Sequence, residues 1–145
     1  MKYLLDTNIL LRLVELAHVQ HKEAREALKN LRRQNCAFYI LLQNVSEFWN
    51  VCTRPKDKNG LGLSIAQTDL YLKKLERFFT FLPDTEEVCR NWRGLIVNHS
   101  VSGVKVHDAK IVAAMKAHNI QTLLTFNAKD FKRYTDIKAV EPKDV

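Results

Sequence analysis

The residues in this sequence best suited to chemistry are carboxylates set at the edges of apolar segments. Asp6 follows the apolar run Tyr3-Leu4-Leu5 and precedes Thr7 and Asn8. At the carboxyl end of a buried strand its carboxylate faces the crevice outside a sheet, although a turn or helix-cap role explains the same residue. Asp108 lies three, four and seven residues before Ile111, Val112 and Met115, which sets it above the apolar stripe of its own helix. A place in the first helical turn, where the helix dipole favours negative charge, accounts for it equally well. Glu47 has Val45, Phe48, Val51 and Cys52 as neighbours, so it sits beside a buried stripe or at its solvated edge. Asn127 and Asp130 follow the run Thr122 to Thr125, and their spacing also suits a helix cap with an acid in the first turn.

Taken together these groups fall at strand ends and helix starts, places that an α/β sheet brings to one edge. Several carboxylates crowded there repel one another, and a hard divalent ion relieves the repulsion without protonating any of them. Ligands that are all oxygen and come from separate segments suit Mg²⁺ or Mn²⁺ better than zinc. Competing chemistries lack their residues. There is no Ser-His-Asp order, no GxSxG elbow and no glycine-rich phosphate loop, and no histidine is placed by sequence as a base for Cys52. His18 and His21 are spaced as HxxH but have no third ligand, and a polar helix entry explains them. His107, beside Asp108, reads as a residue that orients substrate or as a plain surface histidine, the second being the commoner case.

The elements that would position these acids follow from the hydrophobic pattern. Tyr3 to Leu5 reads as a strand, with a helix starting near Ile9; Glu23 to Arg33 has amphipathic helical spacing and leads into a second strand over Ala37 to Leu41. Asn44 is expected to cap a helix that Pro55 stops. The basic stretch Lys56 to Leu63 is expected as the most mobile loop, and Ser64 as the cap of the next helix. Phe81-Leu82 reads as a short edge strand, 85–99 and 106–118 as helices, and 122–125 and 138–140 as strands. Trp49, Trp92, Phe78, Phe79 and Phe81 read as core or interface residues rather than base-stacking platforms. The order predicts a single α/β domain over 1–145, with a central, mostly parallel twisted sheet of four or five strands flanked by helices on both faces. Its site is expected at the carboxyl ends of the strands.

Composition agrees with one folded domain: 145 residues, 46% apolar, with only four glycines and three prolines, exclude a disordered or fibrous chain. Twenty-three Lys and Arg against 16 Asp and Glu give a net charge of +7, which attracts phosphates and other anionic surfaces alike. Cys36, Cys52 and Cys89 form no CxxC pair, which fits a reducing, cytoplasmic setting better than a disulfide framework. No apolar run is long enough for a membrane span, and the opening MKYLLD carries no signal-peptide pattern.

The segments MKYLLDTNILL, QNVSEFWNV, VHDAKIVAAM and LLTFNAKDF together resemble, in order and spacing over nearly the whole chain, the four acidic motifs of the PIN-domain family. Within it the sequence is most similar to VapC-type toxins of bacterial toxin–antitoxin pairs, including the stretch TRPKDKNGLGLS. The resemblance implies an endoribonuclease dependent on Mg²⁺ or Mn²⁺, with Asp6, Glu47 and Asp108 binding metal directly. It also implies a homodimer and an inhibitory antitoxin protein lying across the acidic cleft. Many relatives carry an aspartate two residues after the threonine of the last motif; this chain has Asn127 there and keeps Asp130 three residues on, so the fourth ligand falls to Asn127 and Asp130. Thr7 and Asn8 are expected to hold the Asp6 carboxylate, and Arg54, Lys105, Lys129, Lys132 and Arg133 to face the RNA backbone. Two other functions stay in play: a binding module of the same fold that does not cut, and a phosphoesterase using Asp6 as nucleophile. The second lacks the DxDxT pattern, because Asn8 replaces its second acid.

Overall fold

The computed structural model describes all residues from Met1 to Val145. Five short strands run in parallel: β1 (Lys2–Leu5), β2 (Ala37–Leu41), β3 (Thr80–Leu82), β4 (Thr122–Leu124) and β5 (Lys138–Val140), in the spatial order β3-β2-β1-β4-β5. Parallel neighbours need crossovers, and six helices supply them: α1 (Thr7–Val14), α2 (His21–Arg33), α3 (Leu42–Thr53), α4 (Ile65–Glu76), α5 (Glu86–Asn98) and α6 (Val106–Ala117).

Side-chain alternation along the strands divides the core in two. Leu4, Leu41 and Leu123 point to one face, where Val88 and Leu95 of α5 and Ile111, Val112 and Met115 of α6 cover them. Tyr3, Leu5, Phe38, Ile40 and Leu124 point to the other, against Ile9 and Leu10 of α1, Leu31 of α2, Phe48 and Cys52 of α3 and Leu75 of α4. Each such side chain taken fully out of water contributes about 1.5–3 kcal/mol. Helix α6 is buried on nearly every side, and its run of alanines at 109, 113 and 114 lets α5 and the sheet approach closely.

Chain direction reverses at β1. The strands proceed outward from β1 to β3, then return across the sheet to place β4 on the other side of β1. Between the carboxyl ends of β1 and β4 the following segments therefore diverge to opposite faces and leave a crevice.

Three local expectations are corrected. Helix α1 starts at Thr7 rather than near Ile9, because the Asp6 side chain itself caps it by accepting the Thr7 amide at 2.7 Å. Asn44 does not cap α3: the helix begins at Leu42, and Asn44 lies inside its first turn, fully buried, with its Oδ1 accepting the Leu41 amide at 2.9 Å. The Lys56–Leu63 stretch is not a loose loop. It makes a 3-10 turn at Lys56–Lys58, and the amides of Leu61, Gly62 and Leu63 donate back to the carbonyls of Val51, Arg54 and Cys52 at 2.8–2.9 Å. The terminal carbonyls of α3, orphaned by Pro55, thereby find their donors.

Candidate active site

Asp6 leaves β1 at its carboxyl end, and its amide donates to the Leu124 carbonyl of β4 at 3.0 Å, which ties the residue to the crevice. Asp6 is only 9% exposed. Oδ2 accepts the Thr125 hydroxyl at 2.6 Å and the Asn8 amide at 3.0 Å. Thr125 follows β4 directly and also accepts from Asn8 at 3.1 Å and from the Asn127 amide at 3.0 Å. Asn8 closes the ring by accepting the Phe126 amide at 3.1 Å.

Glu47 is held from two sides. The Thr7 hydroxyl donates to Oε2 at 2.7 Å, and Gln43, one helical turn earlier, donates to Oε1 at 2.9 Å. The same Gln43 amide reaches the His107 carbonyl at 3.1 Å and so links α3 to the start of α6, while Gln43 Oε1 is buried with no donor. Asn44 donates to the Thr7 hydroxyl at 3.3 Å, which leaves that hydroxyl's proton for Glu47. On the far wall, Asp108 in the first turn of α6 and Asp130 in a 3-10 turn at Ala128–Phe131 share the Lys105 ammonium, at 3.4 and 3.3 Å.

Asp6, Thr7, Asn8, Glu47, Asp108, Asn127 and Asp130, with Leu11 and Phe131, line one small polar cavity of about 260 Å³. The electrostatics are those of crowded acids. Burial raises Asp6 to a pKa of about 6, and the Glu47 and Asp108 charges add to the rise, although the bonds from Thr125 and the Thr7 amide work against it. Burial also raises Asp108; Lys105 opposes this, and Asp130 and Glu47 reinforce it. An oxygen-only donor set with a buried carboxylate pushed toward protonation fits a hard divalent cation. The acids face one cavity but are not gathered into a finished ligand shell, and no three acidic, histidine or cysteine side chains form a group that could grip an ion as they stand. Asp6 and Glu47 are bonded to Thr125, Asn8, Thr7 and Gln43, and Asp108 and Asp130 are paired with Lys105.

A family model, the PIN domain, matches residues 3–137. This chain belongs to the PIN-domain family. Solved structures share the fold of this PIN domain end to end. VapBC2 from Rickettsia felis, bound to a promoter DNA fragment, is 20% identical with a TM-score of 0.73, covering 97% of this chain and 98% of that one. VapBC-1 from nontypeable Haemophilus influenzae is 20% identical with a TM-score of 0.70, covering 99% of each. A VapC toxin of Mycobacterium tuberculosis, described as cleaving the sarcin-ricin loop, is 15% identical with a TM-score of 0.65, covering 91% of this chain and 95% of that one. No curated protein sequence matches this one significantly.

All five residues expected as ligands thus line the PIN-domain cleft, and Thr7 and Asn8 make bonds to its acids. The basic residues divide. Lys105 points at the acids themselves, whereas Lys129, Lys132 and Arg133 lie exposed on the segment that carries Asp130. Arg54 does not line the cleft: its guanidinium donates to the Asn59 carbonyl at 2.9 Å and closes the turn after α3. Sequence reasoning missed Thr125, Gln43 and Asn44 as the residues that orient Asp6 and Glu47. Thr125 carried a signal of its own, since it directly follows β4 as Asp6 follows β1. The pair His18 and His21 is structural: His18 Nδ1 accepts the Gln20 amide at 3.1 Å, and His21 Nδ1 lies 2.7 Å from the Arg12 carbonyl.

Proposed function

We propose that this PIN domain is a metal-dependent endoribonuclease, the toxin of a VapC-type toxin–antitoxin pair. The observation that carries the proposal is the cleft at the strand reversal, to which Asp6, Glu47, Asp108, Asn127 and Asp130 come from separate segments. Mg²⁺ or Mn²⁺, when bound, supplies positive charge to the scissile phosphate and lowers the pKa of the attacking water. Asp6, Glu47 and Asp108 hold the ion, and Asp130 with the neutral oxygen of Asn127 completes the donor set. Thr125, Asn8 and Thr7 fix the directions of the Asp6 and Glu47 oxygens. Lys129, Lys132 and Arg133 face the phosphates of a single-stranded RNA on the rim.

The partner is an antitoxin protein, and several similar structures are themselves toxin–antitoxin complexes. Between α1, α2 and α4 runs an apolar groove of about 870 Å³, floored by Leu28, Phe38 and Tyr71 and rimmed by Arg25, Lys29 and Lys74. An amphipathic antitoxin segment with acidic flanks matches both its floor and its rim. A homodimer and a cytoplasmic location belong to the same proposal; no helix is long and apolar enough to cross a membrane.

The test is cleavage of a labelled single-stranded RNA by the purified protein with Mn²⁺ or Mg²⁺. Asp6→Asn and Asp108→Asn are expected to lose at least about 100-fold in rate with circular dichroism unchanged. Full activity in both variants would overturn the proposal. A second function has its own support in Asn127, which replaces an acid, and in the Lys105 pairing: a PIN-like module that binds RNA or a protein without cutting. Metal-independent RNA binding with no cleavage product would favour it.

A further inference from the structure

Among the ion pairs of this protein, those of Lys105 stand apart. Lys110 pairs with Asp84, Lys116 with Asp136 and Lys143 with Glu141, each with one carboxylate away from the cleft. Lys105 alone bridges two, and both are cleft acids from different segments. Its place is not explained by the helix that follows. Lys105 immediately precedes α6 and makes no side-chain capping bond, and a positive charge at a helix N-terminus opposes the helix dipole. A 3-10 turn at Gly103–Lys105, entered through Gly103 at φ +61°, sets this residue beside the acids. There its charge lies against two carboxylates.

We propose that Lys105 is a built-in competitor for the divalent cation, its ammonium holding Asp108 and Asp130 in the metal-free protein and yielding them when an ion loads. The proposal rests on the metal centre proposed above and adds its regulation: Lys105 sets the metal concentration at which the site fills. One cation on a flexible four-carbon stem pairs with both carboxylates of that wall. The Lys105 side chain is 45% exposed, so it has a direct path into solvent when displaced. Water screens such half-exposed pairs, whereas an ion of twice the charge, gripped also by the buried Asp6, competes with advantage.

Titration calorimetry with Mn²⁺ alone on the metal-stripped full chain tests this without recourse to activity. Lys105→Met is expected to bind Mn²⁺ about three- to tenfold more tightly than the unaltered protein. Lys105→Gln, which removes the same charge and keeps a polar tip, is expected to match it and guards against a folding defect peculiar to methionine. Lys110→Met takes one charge from α6, outside the cleft, and is expected to change affinity less than about twofold, as a screened surface charge should. Equal or weaker Mn²⁺ affinity in both Lys105 variants, with clear binding by the unaltered protein, overturns the competitor role and leaves the metal centre standing. No Mn²⁺ binding by any of the proteins overturns both.

Discussion

Asp6 carries the sharpest conflict between stability and chemistry. Its carboxyl is raised to about 6 in the folded protein from an ordinary 3.8, so between those values the folded state binds more protons than the unfolded one. Stability linked to Asp6 is therefore lowest at neutral pH and recovers as pH falls through about 6 toward 3.8. In EDTA, Asp6→Asn should be more stable than the unaltered protein at pH 7.5, by on the order of 2–3 kcal/mol before any lost hydrogen bonding is subtracted. The gap should close near pH 4, as read from paired thermal or urea melts. A gap independent of pH would mean that Asp6 is not a strained carboxylate. The residue's position was legible because an acid ending an apolar run of three has few places to go. Asn8 was legible as its partner too; Thr125 stands just past an apolar run of its own, but that it meets Asp6 is decided by the β1–β4 pairing, 119 residues away in sequence.

At the scale of elements, most boundaries were written in the side chains. Strand β2 at Ala37–Leu41 and β5 at Lys138–Val140 fall where alternation and apolar runs put them. Ser64 caps α4 with Gln67 in a reciprocal pair, and Thr85 caps α5. Errors came where tertiary bonding outweighs local preference. Asn44 is a good cap residue, yet it sits at the third position of α3, where its Oδ1 accepts the amide of the cap residue Leu41 and its Nδ2 reaches across to Thr7. Composition suggested mobility for Lys56–Leu63, but the stretch folds back onto the end of α3 so tightly that a Cβ at Gly60 would lie 1.9 Å from the Arg54 carbonyl oxygen. Backbone must shift to admit it. Gly60→Ala is expected to lower unfolding free energy by about 1–3 kcal/mol, the usual cost of overpacking, with the urea midpoint as the measure. An unchanged midpoint would show the segment to be free after all.

For the whole molecule, the order β3-β2-β1-β4-β5 matters more than any single contact, because it brings the ends of β1 and β4 side by side and lets α3 and α6 start at the same edge. A βαβ alternation in the sequence predicted the parallel sheet; which strand would be central was not in the local pattern, since order depends on where the chain reverses. The net charge of +7 likewise says that anions are attracted, and only the fold shows that negative charge is concentrated in the cleft while Lys129, Lys132 and Arg133 stand outside it. The function proposed above thus assigns attraction of RNA and retention of a cation to different parts of one surface. The most direct measurement is a crystal structure from crystals grown with Mn²⁺, located by its anomalous signal. A peak is expected at about 2.1 Å from oxygens of Asp6 and Asp108, with Glu47 at the ion directly or through its water and Lys105 turned away. A cleft without Mn²⁺, in which Lys105 still joins Asp108 to Asp130, would contradict it.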